Sequence, residues 1–482
     1  MRHLLFRSVA GVAALTLASC VSPSPKKAYV DVEKTAGERL PVQPRFDGAS
    51  GDLVVKERTS ALLTQGTLTA DKAVELALLN NPSLGAGAQE IAVARAELAQ
   101  AGLLENPRLH YGIRRSGDGA TGYEWSATMN FMDLVVLPLR RKAGAGRYEQ
   151  ARLRVSHEVL GLAAEVKAAF YAAQAARRHL ALSRTAYASF EAAAELLDRQ
   201  RKAGNINALD HAREKAEAER AAVELARAEG EAEQASERLS ALMGVQDMAP
   251  WTPEETPSEP SPAEPPLAQL EEAALRLRWD LDAARREPSI LKSELSISRL
   301  GLFGDITAGV DAEKEFGGEK GIGPAIELSI PLFDRRQGSN ARLKAELRRS
   351  ALTVAALENQ VRLEVRLARS RLGAARKSAE RYKAALVPLS RRVAAETLKH
   401  YNFMLLGVYD VLRTRRDEFE RQSEYIDALR DYWSAWAELE RALGGKIPPE
   451  LTAAPPAPQE TPKAAPEKPA EPETVPSPEH QH

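Results

Sequence analysis

Residues 123–131, Tyr-Glu-Trp-Ser-Ala-Thr-Met-Asn-Phe, decide the fold class of this chain. Every odd-numbered position in the stretch is apolar and every even-numbered position is polar. This alternation predicts a β-strand with two different faces, because successive side chains of a strand point to opposite sides. Residues 109–113, 302–310 and 326–330 alternate in a similar way. The sequence therefore predicts four short strands.

The environment of these strands follows from their edges. A half-buried sheet in a soluble protein alternates in the same way, so alternation alone leaves that alternative open. Strands of about nine or ten residues, with Tyr123 and Trp125 near one end, suit a membrane barrel. Four strands by themselves leave two open edges, which a membrane does not tolerate. The edges close only if several chains each contribute four strands.

Long helical patterns flank the strands. They cover residues 140–202 and 207–243, and then 337–400 and 407–443. The two longest would each run about 95 Å, so they cannot fold into a single globular core and must pack side by side. An apolar seam with steps of four and three predicts a coiled coil with one stutter in the helix that starts at residue 337. The seam residues are Leu343, Leu347, Ser350, Val354, Leu357, Val361, Val365, Ala368, Leu372 and Ala375.

The chain contains two copies of one plan. Glu75, Arg140, Asp210 and Gly244 recur as Glu272, Arg335, Asp410 and Gly444, always about 200 residues later, which indicates a tandem repeat. A segment with seven prolines between residues 250 and 266 separates the copies. Each copy is predicted to run helix, strand, strand, long helix and helix. Thr69 is a candidate N-cap for the first helix.

The N-terminus predicts export and lipidation. Arg2 and Arg7 precede a short apolar run that is too short to anchor the chain, which is typical of a signal peptide. The run ends in Leu17-Ala18-Ser19-Cys20, which resembles the bacterial lipobox, where the cysteine is acylated. An incidental buried cysteine is the alternative, but Cys20 is the only cysteine in the chain. We therefore expect a covalent lipid on Cys20, and Val21 after it favours the outer membrane by the same resemblance.

These signals divide the chain into six parts. We predict a signal peptide (residues 1–19), a lipidated, extended N-terminal segment (20–66), repeat 1 (67–245), a Pro-rich equatorial linker (246–266), repeat 2 (267–445) and a disordered tail rich in Pro, Ala and Glu (446–482).

Three motifs carry a family resemblance. They are residues 73–82 (AVELALLNNP), 102–107 (GLLENP) and 330–334 (IPLFD). In this order, and within the duplicated plan, residues 68–445 resemble the TolC-like outer-membrane efflux channels, in particular their lipid-anchored branch. The resemblance implies a mainly α fold with a small β part. Long α-helical hairpins in tandem repeat form a coiled-coil barrel, and four strands per chain contribute to a trimeric 12-stranded membrane β-barrel.

The same resemblance implies a function. Such proteins are homotrimeric channels in the outer membrane of Gram-negative bacteria, anchored in outer-membrane lipid. They give passive exit to cargo that an inner-membrane pump of RND or ABC type delivers through a periplasmic adaptor (membrane fusion protein). The sequence leaves the cargo open between toxic organic compounds, metals and secreted protein. A periplasmic adaptor or coiled-coil scaffold lipoprotein without a pore is the alternative, although two hairpins and the strand at residues 123–131 favour the channel.

The resemblance places gating and adaptor docking at the tips of the helical hairpins, residues 201–210 and 401–410. The candidate site residues are Gly204, Asn207, Asp210, Tyr401, Gly407, Asp410 and Arg413. Arg201 replaces the aromatic residue expected in the first tip, and Met404 stands where a glycine is expected in the second. The alternatives are purely structural: the glycines only reverse the chain, and the aspartates only cap helices. Arg413, one turn after Asp410, offers that aspartate an ionic partner. With Arg415 and Arg416, it could also form a basic ring that changes ion selectivity.

Other functional classes find little support. The eight histidines form no metal-ligand motif, and no nucleotide-binding or nucleophile motif is recognisable. The net charge of −1 gives no field that would attract nucleic acid. We therefore expect no enzyme activity, no metal and no cofactor other than the lipid on Cys20.

Overall fold

The computed structural model describes residues 25–40, 53–64, 66–246, 251–255, 259–260, 265–304, 306–316 and 318–448. The predicted signal peptide, Cys20, most of the predicted tail and part of the linker lie outside the described residues. Within the described ranges, no helix is long and apolar enough to cross a membrane.

The N-terminal segment corrects one prediction. Residues 20–66 were expected to be extended, but they contain helices α1 (Pro25–Gly37) and α2 (Leu53–Thr64). Helix α1 buries Tyr29, Val32 and Ala36. Three apolar positions make too weak a pattern to predict a helix, because the stability of such a helix comes from the surface on which it packs.

Each repeat has the same succession of elements. Repeat 1 contains α3 (Ala70–Asn80), α4 (Pro82–Ala101), β1 (Arg108–Arg115), β2 (Thr121–Asn130), α5 (Met132–Lys202) and α6 (Ala208–Met243). Repeat 2 contains α7 (Leu267–Leu277), α8 (Trp279–Leu300), β3 (Ile306–Lys314), β4 (Lys320–Leu328), α9 (Gln337–Arg381), a π turn (Tyr382–Leu386), α10 (Val387–Asn402) and α11 (Val408–Leu443). The predicted N-cap is confirmed, since the side chain of Thr69 accepts a hydrogen bond from the Lys72 amide.

The first helix of each repeat is broken where the sequence predicted a continuous one. The breaks lie at Asn81 (φ −70°, ψ 119°) and at Arg278 (φ −71°, ψ 121°), which are equivalent positions. Asn81 precedes a proline, which disfavours helical backbone in the residue before it. Its side chain also caps α4 by accepting from the Ser83 amide. No proline follows Arg278; its buried side chain pairs with Asp280, two residues on, and with Glu364 of α9.

The glycines that close the hairpin helices pack on these breaks. Gly244 (φ +69°) lies against Asn80, where an added Cβ would come within 2.5 Å of the carbonyl oxygen. Gly444 (φ +81°) lies in the same way against Leu277 and Arg278. Only glycine fits both the left-handed backbone and the close approach. Each repeat therefore contains the same contact between its closing glycine and its helix break, although the two are far apart in sequence.

The helices lie along each other as predicted. Helix α4 runs antiparallel to the first half of α5, where Gly87 meets Val155 and Ala101 meets Gly144. Helix α6 covers the second half of α5, where His211 contacts Asp198. In repeat 2 the seam of α9 is buried at Leu343, Ser350, Val361, Val365, Ala368 and Leu372. Two shorter helices thus lie end to end along one long one.

Candidate membrane pore and periplasmic tips

The four strands form one antiparallel sheet in the order β1-β2-β3-β4. The central pair, β2 and β3, joins the two repeats, with Ala127 opposite Val310. Strands β1 and β4 are the sheet edges, and neither has a partner beyond it within the described part of the chain. The tight turns between β1 and β2 and between β3 and β4 lie at the end of the sheet opposite the helices.

One face of the sheet is apolar across all four strands except in the row at the turn end, where Lys314 and Lys320 follow Ile113 and Tyr123. In a single cross-strand row, Tyr111 lies opposite Trp125, Trp125 opposite Ala312 and Ala312 opposite Ile322. The large side chains of this face are exposed, which is uncommon for a contiguous apolar surface in a soluble monomer. The exposed members are Leu109, Tyr111, Ile113, Tyr123, Trp125, Val310, Ile322, Ile326 and Leu328.

The opposite face is polar. In the row next to the one above, His110, Ser126 and Asp311 face the same side. On this face Arg114 also forms an ion pair with Glu124 at 2.5 Å. A sheet with one apolar and one charged face separates hydrocarbon from water in the way a membrane barrel wall does.

The two hairpin tips have the same backbone turn. In the first tip, Gly204 (φ +77°) donates its amide to the Arg201 carbonyl at 3.0 Å. In the second, Met404 (φ +60°) donates its amide to the Tyr401 carbonyl at 2.8 Å. The departure of Met404 from the expected glycine therefore does not change the path of the chain. It places a methionine in left-handed backbone, which costs roughly 1–2 kcal/mol.

Surface chemistry distinguishes the tips. The second tip presents four consecutive exposed apolar side chains, with Met404 94% exposed. These residues are Phe403, Met404, Leu405 and Leu406. The first tip has Ala203, Gly204, Asn205 and Ile206 at the equivalent places, of which only the half-buried Ile206 is large and apolar. The repeats thus share geometry at the tips but not polarity.

Both candidate aspartates form hydrogen bonds at the N-terminus of a helix. Asn207 is the N-cap of α6; its carbonyl oxygen accepts from the Asp210 amide at 2.8 Å, and its amide group donates to the Asp210 carboxylate at 2.6 Å. The Asp410 carboxylate accepts from the Gly407 amide at 3.1 Å at the start of α11. Each carboxylate therefore lies at the positive end of a helix, as the capping interpretation predicts.

The three arginines of α11 do not act alike. Arg415 pairs with Glu418 at 2.8 Å, and Arg416 pairs with Glu217 of α6 at 2.6 Å. Their charge is compensated, and the second pair links the two hairpins. Arg413 has no carboxylate within 4 Å in the described ranges, so the predicted pair with Asp410 is not formed.

The structure shows a polar contact between the two repeats that the sequence analysis missed. His179 of α5 contacts two residues of α11, with its Nε2 3.1 Å from the Asp427 carboxylate and its Nδ1 3.1 Å from the Ser423 hydroxyl. Burial alone would raise the pKa of Asp427, but the hydrogen bond from His179 and the charges of His179 and Arg430 together outweigh it and lower this pKa. Because the partners are about 250 residues apart, no sequence spacing marks this contact between the repeats. No group of side chains in the described residues forms a metal site.

Comparison with known proteins identifies the family. Residues 73–245 match the family model described as outer membrane efflux protein. This match assigns repeat 1 to the outer membrane efflux protein family and agrees with the resemblance to the TolC-like channels. The chain is similar to the cobalt-zinc-cadmium resistance protein CzcC of Cupriavidus metallidurans, with 25% identity over 79% of this chain and 90% of CzcC. It is also similar to the outer membrane protein OprJ of Pseudomonas aeruginosa, with 26% identity over 59% of this chain and 62% of OprJ.

Solved structures of the family share the fold. A membrane protein from Pseudomonas aeruginosa has a TM-score of 0.68 at 22% identity, covering 78% of this chain and 90% of its own. The Campylobacter jejuni CmeC outer membrane channel has a TM-score of 0.67 at 14% identity, covering 78% and 85%. These structures confirm the mainly helical fold with a small sheet. The expected function, an outer-membrane channel of a tripartite efflux system, is confirmed by the family match and the two relatives in sequence.

Proposed function

We propose that three copies of this chain form one passive exit channel, with a 12-stranded barrel in the outer membrane and a hollow helical stalk below it. The open edges of the sheet carry this proposal. An isolated four-stranded sheet exposes unpaired backbone groups at β1 and β4, which hydrocarbon does not tolerate. Pairing β4 of one copy with β1 of the next satisfies them, and the resulting strand number lies within the range of known membrane barrels.

The outer helices support the same assembly. Helices α9 and α10 bury one side against α7, α8 and α11, but other apolar side chains of theirs remain exposed. These are Leu352, Leu363, Leu367, Leu389 and Val393. Helix α6, at the other margin of the chain, exposes Val223. Packing α6 of one copy against α9 and α10 of the next would cover both surfaces and close the stalk.

The N-terminal helix supports a lipid on Cys20. Asp31 contacts Tyr148 and Thr35 contacts Arg152, so α1 runs in the same direction as α5 and its first residue points toward the sheet. Tyr148 lies roughly 25 Å along α5 from its start. The rest of α1 and the greatest reach of the five residues before it add up to about that distance. An acylated Cys20 would therefore reach the periplasmic leaflet, and Cys20→Ala should abolish incorporation of labelled palmitate.

Adaptor docking is proposed for the tips, through Gly204, Asn207, Tyr401, Gly407 and the apolar segment 403–406. The unfavourable backbone conformation of Met404 supports a role for this residue in docking. Its left-handed backbone is unfavourable, and a side chain that is 94% exposed gains no compensating contact within the chain. The tips lie at the ends of parallel helices, where a contact directed beyond the helix ends requires another protein. A periplasmic adaptor with an apolar end is the partner that fits.

Two neighbouring residues of β3 test the pore. Val310 lies on the apolar face and Asp311 on the polar face, both at the middle of the strand. Val310→Arg should prevent insertion, because arginine at the bilayer midplane costs about 2–4 kcal/mol on the lipid face. Asp311→Arg should insert normally and shift the conductance of planar bilayers toward anion selectivity. Equal behaviour of the two variants, or a wild-type protein that is monomeric and forms no pores, would contradict the proposal.

Photo-crosslinking tests the docking. A benzoylphenylalanine placed at position 404 should crosslink in cells to a periplasmic adaptor, identified by mass spectrometry, and one placed at Val223 should crosslink to another copy of the channel. Crosslinks from position 404 only to other copies would show instead that the apolar tip seals the channel against itself.

A further inference from the structure

A group of arginines lies just below the sheet in both repeats. In repeat 1, exposed Phe131, Leu134 and Val135 follow β2, and Arg140 and Arg141 come next in α5. In repeat 2, exposed Ile330, Leu332 and Phe333 follow β4, and Arg335 and Arg336 come next. Apolar side chains followed by cationic ones are typical of the boundary between hydrocarbon and headgroups.

The charge of three of these arginines is not compensated. The guanidinium groups of Arg141, Arg335 and Arg336 are exposed and have no carboxylate within 4 Å in the part of the chain that the structure describes. The neighbouring Asp334 carboxylate accepts from the Arg336 backbone amide at 2.8 Å instead. Arg140 differs, because it pairs with Asp133 at 3.5 Å. The next arginine down α5, Arg147, is also paired, with Glu294.

Two of the guanidinium groups are held by equivalent glycines. Gly102 ends α4 and Gly301 follows α8. Arg141 donates to the Gly102 carbonyl at 3.2 Å, and a Cβ on Gly102 would lie 3.1 Å from its Nε. A Cβ on Gly301 would overlap the guanidinium group of Arg336. The same arrangement in both repeats fixes these cations at one level below the sheet.

We propose that Arg141, Arg335 and Arg336, here called the basic collar, bind the phosphate groups of anionic phospholipids in the periplasmic leaflet of the outer membrane. This inference rests on the proposed membrane insertion of the sheet. Arg141 lies about 13 Å along α5 from its start. The first turn of α5, with the exposed Leu134 and Val135, accounts for the first part of that distance. A headgroup layer of roughly 5–8 Å accounts for most of the rest. Arginine suits this ligand because its planar donor group matches phosphate oxygens.

A second pair of arginines provides the control. Arg348 and Arg349 are also adjacent and exposed on α9, but they lie roughly 18 Å farther from the sheet, beyond the reach of headgroups. The variants to compare are R335Q/R336Q and R348Q/R349Q in the full-length, detergent-purified protein. The probes are dioleoylphosphatidylglycerol, dioleoylphosphatidylcholine and inorganic phosphate, and native mass spectrometry measures the apparent affinity for each.

The wild type should retain phosphatidylglycerol in preference to phosphatidylcholine. Since each arginine near an anionic surface contributes about fivefold, R335Q/R336Q should weaken phosphatidylglycerol binding by at least about tenfold. R348Q/R349Q should leave it unchanged. Inorganic phosphate should not displace the lipid, because it lacks the chains that lie on the apolar residues above the collar. Gly301→Ala, which displaces only Arg336, should produce an intermediate loss.

Three results would overturn the inference: no lipid preference in the wild type, an equal loss in both double variants, or displacement of the lipid by phosphate. A change of oligomeric state in R335Q/R336Q would also overturn it, because it would show that a neighbouring copy covers the collar. Conductance of each variant in planar bilayers is measured in parallel. Normal pores without lipid preference refute the collar alone, whereas the absence of pores in the wild type refutes the proposed channel.

Discussion

Arg278→Met should destabilise repeat 2 strongly. The Arg278 side chain is only 4% exposed and pairs with Asp280 at 2.6 Å and with Glu364 of α9. Burial alone would raise the pKa of Asp280, but its hydrogen bonds with Arg278 and the Leu281 amide, together with the charges of Arg278 and His157, outweigh this and lower that pKa. Both carboxylates stay ionised at neutral pH, so removing the arginine leaves two partly buried negative charges without a partner.

The expected loss follows from burial. Removing one partner of a buried ion pair costs about 3–5 kcal/mol. Because Asp280 and Glu364 keep about a fifth of their surface exposed, we expect the lower end, about 3 kcal/mol. At about 2–4 °C per kcal/mol for a unit of this size, the unfolding midpoint should fall by roughly 6–12 °C at pH 7.5. Fluorescence of the buried Trp279, against which Arg39 stacks at 4.2 Å, provides a local probe.

Two comparisons make this prediction specific. Arg366 of α9 forms a similar pair with Glu271 of α7 at 2.6 Å, but it is 59% exposed, so Arg366→Met should leave the midpoint nearly unchanged. Adding Asp280→Asn and Glu364→Gln to Arg278→Met should recover most of the loss by removing the unpaired charges. The reasoning is refuted if Arg278→Met unfolds like the wild type, or if Arg366→Met costs as much.

Three further predictions concern single positions. Gly244→Ala should lower the unfolding midpoint, because left-handed backbone costs alanine about 1–2 kcal/mol and its Cβ would meet Asn80. The control, Gly230→Ala, should raise the midpoint slightly, because this glycine lies in open space within α6 and alanine favours the helix. Met404→Gly should leave the fold intact or stabilise it by up to about 1 kcal/mol, while weakening adaptor crosslinking from the same tip. Burial lowers the pKa of His157 against the opposing effect of Asp280, so its folded-state pKa lies below the unfolded value near 6.5. Stability should therefore decline as pH falls below about 6.5, and His157→Gln should flatten this part of the unfolding profile.

The candidate site was only partly accessible from the sequence. The tip positions could be found because glycine, asparagine and aspartate mark helix ends through bonds to residues within four positions. The alternation of residues 123–131 likewise depends on neighbours two positions apart. The contact of His179 with Ser423 and Asp427 could not be found, because it depends on which helices lie side by side. The basic collar needed the fold as well, since its members come together only when both repeats meet at one level.

The sequence alone determined the helical hairpins, the two-faced strands and the duplication, because each of these is written in short-range periodicity or in the recurrence of residues. Tertiary structure alone decided the helix of the N-terminal segment, whose few apolar residues need a surface to pack on, and the break at Arg278. At Asn81 a following proline already breaks the helix. No proline follows Arg278, and its buried guanidinium group joins Asp280, two residues on, to Glu364, 86 residues away, a contact that only the packing of the helices provides.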